Sequence, residues 1–254
     1  FVLASDASSP NILSSLPDGS GTTGNGMNVL SMVVSSTNIE VVFIGSKYLW
    51  RGSAGSAWTN TSVSGGNNIA GDIFTIEYVP KSPSRMFLGT GGGIYYSNNN
   101  GVNWTATNNT LTNHQITTFA VAPNADSLIL CSTPNHTMRY NYGTWSVISD
   151  TVFKNITADV SITGKFWGTT VNNVLLVTND SGRTWSKMST PSFTTYTAPD
   201  PYVINPKNPN TMFALLNDFW KTTNGGQTWQ KLTNNFGSFV RELKIAPSDT
   251  NTVY

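Results

Sequence analysis

Apolar and polar positions alternate in short runs along the chain, and the runs recur in the same order. Phe74-Thr75-Ile76-Glu77-Tyr78-Val79 alternates and then stops at Pro80, and residues 116–123, 202–206 and 243–247 repeat the arrangement. Alternation marks a strand with one buried face, and proline ends such a strand because it has no N–H to donate to the ladder. A β-branched or aromatic run is the next element of the unit, at residues 41–45, 86–89, 128–131 and 212–215. A third run comes after a few polar residues, at 48–50, 94–96, 174–177 and 219–220, and a turn then leads to a fourth strand. The pattern predicts an all-β chain built from units of four short strands.

Tryptophans give the period. Trp58, Trp104, Trp145, Trp185 and Trp229 stand 46, 41, 40 and 44 residues apart, which is the spacing of a repeat of one four-stranded unit. Three of them close the same eight-residue pattern: Ser97-Asn98-Asn99-Asn100-Gly101-Val102-Asn103-Trp104, Thr178-Asn179-Asp180-Ser181-Gly182-Arg183-Thr184-Trp185 and Thr222-Thr223-Asn224-Gly225-Gly226-Gln227-Thr228-Trp229. Each reads Ser/Thr, any, Asp/Asn, any, Gly, any, Thr/Asn, Trp. Arg51 to Trp58 and Tyr140 to Trp145 read as eroded copies in phase. The chemistry is that of a tight turn. Asp or Asn accepts backbone N–H bonds inside it, Gly supplies a positive φ, and Trp fills the space between neighbouring sheets.

This pattern resembles the Asp-box, or BNR repeat, of the sialidase-like, sortilin-like and xyloglucanase-like propellers. The resemblance implies a β-propeller of four-stranded blades, with the boxes on the edge away from any active site. In phase with the repeat, whole blades are expected at 28–70, 71–113, 114–153, 154–198 and 199–236. Residues 1–27 are expected to be the tail of a preceding blade with a loop, and 237–254 the start of a following one. Five whole blades and two partial ones imply a single propeller segment, 1–254, of a longer polypeptide with seven or more blades. The phrasing of residues 205–211 and 221–229 is also similar to repeats of large secreted bacterial surface proteins of the Bacteroidetes type.

Composition narrows the function classes. Charged residues make up only 11% of the chain, below the quarter usual for soluble domains, and the net charge is +1. No basic cluster exists to serve as a nucleic-acid footprint. The single Cys131 allows no internal disulfide and reads as a small buried hydrophobe. No apolar run reaches the roughly 20 residues that a membrane-spanning helix needs. A secreted or cell-surface location suits the Asn- and Thr-rich, Cys-poor composition. Asn60, Asn103, Asn108, Asn135, Asn155 and Asn179 begin Asn-x-Ser/Thr sequons.

Catalytic chemistry is sparse. A glycoside hydrolase needs two carboxylates flanking the scissile bond. Asp6 and Asp218 form the best candidate pair, both expected in loops between second and third strands, with Asp72 and Asp159 expected near the starts of first strands. The arginines at 51, 139 and 183 fall in or beside the turn motifs, where the resemblance to sialidases gives them no catalytic place. His114 and His136 are isolated and lack metal-ligand spacing, and no cofactor motif is present. Trp167 and Trp220 are candidates for stacking on sugars, with burial as the default reading. The leading expectation is a non-catalytic scaffold or binding module that meets a protein or glycan partner at one loop face. The alternatives are a xyloglucanase-like polysaccharide hydrolase with part of its site elsewhere, and a sortilin-like receptor propeller.

Overall fold

The computed structural model describes residues 30–35, 41–53, 58–63, 66–79, 82–111, 115–123, 125–191, 201–205, 207–216, 218–233, 243–245 and 252–253. Asp6, His114 and the proposed blade tail at 1–27 lie outside these residues. The chain divides into two compact units, Phe1–Thr117 and Thr118–Tyr254.

In the first unit, two four-stranded sheets follow one another: β1 (Ser31–Val34), β2 (Val41–Gly45), β3 (Leu49–Ser53) and β4 (Thr59–Asn60), then β5 (Ile73–Val79), β6 (Ser82–Thr90), β7 (Gly93–Ser97) and β8 (Thr105–Ala106). Strands are neighbours in sequence order and pair antiparallel throughout. The second strands supply much of the buried apolar surface, as their β-branched and aromatic composition requires: β2 carries Phe43 and Ile44, β6 carries Met86, Phe87 and Leu88, all shielded from solvent. Val41, Phe43, Leu49, Ile73, Ile76, Met86, Leu88, Tyr95 and Trp104 make one core that draws on both sheets. The two first strands, β1 and β5, pack against each other.

The second unit holds three such sheets. They are β9 (Thr118–Ala122) to β12 (Thr144–Ser149), β13 (Phe153–Ala158) to β16 (Ser186–Lys187), and β17 (Tyr202–Ile204) to β20 (Gln230–Thr233). The strands between them are β10 (Ala125–Ser132), β11 (Thr137–Asn141), β14 (Phe166–Thr170), β15 (Leu175–Thr178), β18 (Met212–Leu216) and β19 (Asp218–Thr222). Its cores again lie between successive sheets. Ala120, Leu128, Leu130, Phe153, Ile156 and Phe166 form one, and Trp167, Leu175, Tyr202, Met212, Ala214 and Leu216 the next. Beyond β20, Leu243 and Ile245 are buried against Phe213 and Leu215, and Ile245 bridges antiparallel to Val253.

Each sheet is a simple antiparallel meander. Its first and third connections therefore lie at one edge and its second at the other, as successive strands reverse direction. No α-helix occurs among the described residues, and none of their segments is a helix long and apolar enough to cross a membrane.

Two local expectations change. Tyr140 and Trp145 do not bracket an eroded copy of the eight-residue turn. They face each other across a two-residue hairpin whose tip is Tyr142 (φ 45°) and Gly143 (φ 93°). Consecutive positive φ values are those of the primed turns that match strand twist. Asp159 follows the first strand β13 instead of preceding it, because the alternating run at 153–158 occupies that strand.

Candidate functional site

The three eight-residue motifs form one hydrogen-bonded turn, built three times between third and fourth strands. Ser97 Oγ donates to Asn99 Oδ1 (2.9 Å) and accepts from Asn99 N and Gly101 N (3.2 and 2.9 Å). Asn99 Oδ1 also accepts from Asn103 N at 2.8 Å. Thr178, Asp180, Gly182 and Thr184 repeat these bonds, as do Thr222, Asn224, Gly226 and Thr228. One hydroxyl thus uses its donor and both lone pairs, which is all that it has.

The turn containing Asp180 differs in charge. Its second carboxylate oxygen accepts from Thr184 Oγ1 at 2.7 Å. Bonds from Thr184 N and Oγ1 and from Thr178 Oγ1 favour the ionised form, and they bring the Asp180 pKa down to about 2. At Asn224 the same contact is made the other way round, with Nδ2 donating to Thr228 Oγ1 at 2.8 Å.

Each turn also fastens its sheet to the one before it. A Cβ on Gly101 would lie 2.5 Å from the Phe43 ring, and one on Gly182 would lie 2.6 Å from Ile148 Cδ1. Gly226 approaches Met188 at 3.0 Å by the same measure. Polar bonds accompany the close approach. Asn100 Nδ2 donates to Ser35 Oγ (3.3 Å) and its Oδ1 accepts from Tyr78 OH (2.5 Å), while Arg139 Nη1 donates to Ser181 O (3.5 Å). Trp229 Nε1 donates to Ser189 O at 2.9 Å, and Trp185 packs on Phe153 with ring centroids 4.5 Å apart. Trp104 N is held by Asn67 Oδ1, whose amide nitrogen also bonds Thr61 O and Val102 O. The described turn residues are thus engaged in folding and docking.

The opposite edge of the second unit carries a different set of polar groups. His136, in the β10–β11 turn, meets Asp150 at 3.2 Å, the aspartate side chain being 93% exposed. Thr137 Oγ1 donates to Thr151 O (2.6 Å), and Val171 N to Val152 O (3.3 Å). Lys154 Nζ donates to Asn173 Oδ1, and Tyr202 OH to Asn173 O at 3.3 Å. Burial raises the pKa of Tyr202 above that of a free phenol. These contacts run through three successive sheets and leave Pro134, Asn135, Val171 and Asn172 exposed.

Asp6, the expected partner of Asp218, lies outside the described residues, and the other candidate carboxylates have local surroundings of their own. Asp218 is the first residue of β19, beside the β18–β19 turn, and pairs with Lys231 Nζ at 2.6 Å. Asp159 is buried. Burial alone would raise its pKa, but bonds from Ser161 N, Ser161 Oγ and Ile162 N and the charge of Lys165 outweigh it, and the pKa falls below the ordinary value. Asp72 directly precedes β5. No group of three or more His, Cys, Asp or Glu side chains that could hold a metal occurs among the described residues. Cys131 is free and buried, and burial pushes its thiol pKa far up, as suits a core residue. Trp167 is 2% exposed and sits in the core between sheets, so it offers no platform to a sugar, whereas Trp220 is half-buried at the margin of that core.

The bonds of His136, Lys154 and Asn173 have no signature in the sequence. They depend on which turns the meanders bring to one edge. The Asp/Asn-x-Gly spacing was the legible part.

Neither a protein family nor a curated protein matches the chain. Solved structures do. An ancestral GH74 enzyme is similar over 89% of this chain and 34% of its own, at 18% identity and a TM-score of 0.65. The GH74 xyloglucanase from Xanthomonas campestris is similar over 76% of this chain and 36% of its own, at 15% identity and a TM-score of 0.55. YCF48 bound to D1 peptide is similar over 87% of this chain and 73% of its own, at 13% identity and a TM-score of 0.60. The chain spans about a third of the length of the two GH74 structures. At these identities the likeness establishes fold and leaves activity open. Five four-stranded antiparallel sheets in sequence order, together with these likenesses, make the chain an all-β protein of β-propeller architecture.

Proposed function

We propose that this chain is a non-catalytic propeller scaffold or binding module of a secreted or cell-surface protein. In this reading the three turns of Asp-box type clasp blade to blade, and the opposite loop edge meets a protein or glycan partner. The observation that carries it is the commitment of four of the described carboxylates. Asp159 is bonded to the Ser161–Ile162 backbone, Asp180 to its own turn, Asp218 to Lys231 and Asp150 to His136. A glycosidase instead requires one carboxyl kept as an acid and a second facing it across the bond to be cut. The edge bearing Asn135, His136, Asp150, Asn172 and Asn173 is rich in amide groups and of mixed charge, which suits hydrogen bonding to a partner. The five blade ranges and a parent of seven or more blades remain part of this proposal.

The test is a comparison of binding with turnover on soluble xyloglucan and related β-glucans. Binding by calorimetry without release of reducing ends is the expected outcome for a glycan-directed module, and no interaction at all points to a protein partner. Release of reducing ends above background would refute the non-catalytic reading.

The second reading is a xyloglucanase-like hydrolase, supported by the likeness to the GH74 structures and by the place of Asp218 next to a second-to-third-strand turn. Under it, Asp218→Asn abolishes turnover while leaving the thermal transition within a few degrees of the parent.

A further inference from the structure

Asn-Gly steps are the peptide sequences most prone to spontaneous deamidation, because glycine offers no side chain to obstruct attack by its backbone nitrogen on the preceding amide carbon. Two such steps lie among the described residues, Asn100-Gly101 and Asn224-Gly225, both in turns of the same type but shifted by one position. Their surroundings differ. Asn100 is gripped by Tyr78 OH and Ser35 Oγ, Gly101 N donates to Ser97 Oγ in a buried bond, and Gly101 lies against the Phe43 ring. Asn224 is exposed and its side chain is bonded only within its own turn, to Thr222 Oγ1, Thr228 N and Thr228 Oγ1; Gly225 N donates to Asn210 O at 2.8 Å, and the space around Gly225 holds nothing nearer to a built Cβ than Asn210 Oδ1 at 3.4 Å.

We propose that Asn224 is a site of spontaneous deamidation in the folded protein, and that its aspartate product is accommodated by the turn. Gly225 N attacks Asn224 Cγ, the Cγ–Nδ2 bond breaks, and ammonia leaves with the proton from Gly225 N, giving a cyclic imide. Water then opens the ring. Cleavage of the Gly225 N–Cγ bond restores the main chain with aspartate at 224, while cleavage at the other imide carbonyl gives isoaspartate with a lengthened backbone.

The protein already contains the geometry of the first product. Asp180 occupies the equivalent position, accepts from Thr178 Oγ1, Thr184 N and Thr184 Oγ1, and keeps the Gly182 turn closed. An aspartate at 224 needs only a reversal of the Thr228 hydroxyl, from acceptor of Asn224 Nδ2 to donor. Isoaspartate adds a backbone atom between Thr222 and Gly226, the two ends joined by the Gly226 N to Thr222 Oγ1 bond. The two products therefore have opposite consequences, one preserving the clasp and the other opening it.

The experiment incubates the folded chain in mildly alkaline buffer and follows both steps by peptide mapping, with the denatured chain as the reference. Trypsin isolates Asn224 on the peptide 222–231. In the denatured chain the two steps should convert at similar rates. In the folded chain Asn224 should convert at least about tenfold faster than Asn100, the factor set by about 1.4 kcal/mol of extra opening cost. Equal folded-state rates, or conversion at Asn100 first, overturn the proposal. Asn224→Asp tests the second half: its unfolding midpoint should equal or exceed the parent's, and a clear fall would show that the product is not accommodated.

Discussion

Two tight turns with the same local geometry do different work. The turn at 97–104 and the hairpin tip at Tyr142-Gly143 both join a third strand to a fourth through consecutive residues at positive φ, Asn100 (54°) and Gly101 (76°) in one, Tyr142 (45°) and Gly143 (93°) in the other. Around Gly143 a Cβ would meet nothing, and Tyr142 is 83% exposed. Around Gly101 a Cβ would run into Phe43 of the preceding sheet. The hairpin needs glycine only for its dihedral angles, and the eight-residue turn needs it also for contact. That second requirement explains why the motif carries a hydroxyl, an acid or amide and a tryptophan that a plain hairpin does without: they hold the glycine where the preceding sheet can touch it.

The largest effect expected from this contrast is at the glycines. Gly101→Ala should cost about 2–5 kcal/mol, adding overpacking against the Phe43 ring to left-handed strain. Gly143→Ala should cost about 1–2 kcal/mol from strain alone. Denaturant midpoints of the two variants measure the difference, and equal losses would remove the argument for docking.

Next comes the hub hydroxyl. Thr178→Ala strips a buried side chain of three hydrogen bonds and leaves Gly182 N without its acceptor, an expected loss of about 1–3 kcal/mol. Thr144→Ala, in the exposed hairpin of the preceding sheet, should stay within about 0.5 kcal/mol. A thermal-shift comparison that found both neutral would count against the hub.

The acid of the motif sharpens the comparison by pH. Asp180 has a folded pKa depressed from 3.8 to about 2, so its contribution is fully present above the ordinary carboxylate value and is lost as pH falls through about 2. The turns containing Asn99 and Asn224 have no such dependence. Stability of the parent relative to Asp180→Asn should therefore shrink between about pH 5 and about pH 2, and a constant gap would mean that the carboxylate is not held by these bonds.

The smallest change is expected at Asp218, whose pair with Lys231 is partly open to solvent. Asp218→Asn should cost less than about 1 kcal/mol. A larger loss, read from the same denaturant midpoints, would show that the pair anchors β19 to β20 more firmly than a surface ion pair can.

Much of this was legible in the chain because it is local. The alternating run at 74–79 specifies a half-buried strand whatever surrounds it, and Ser/Thr-x-Asp/Asn-x-Gly folds back on itself through bonds among its own residues. Trp145 shows the converse: a tryptophan in phase does not reveal whether the turn before it has two residues or six, and Tyr142-Gly143 closes the shorter one. Asp159 was displaced by one strand end because strand boundaries depend on pairing with β14.

Sequence by itself determined an all-β chain with a repeat of four strands, and the residues of its tight turns, since both follow from period and short-range hydrogen bonding. Tertiary structure decided which groups meet across sheets. Phe43 lies far in sequence from the Gly101 it touches, Asp218 is neutralised by Lys231 from the next strand, and Lys154, Asn173 and Tyr202 meet at one edge because two successive meanders end there. Those encounters are set by register and packing between elements, and no window of sequence contains them.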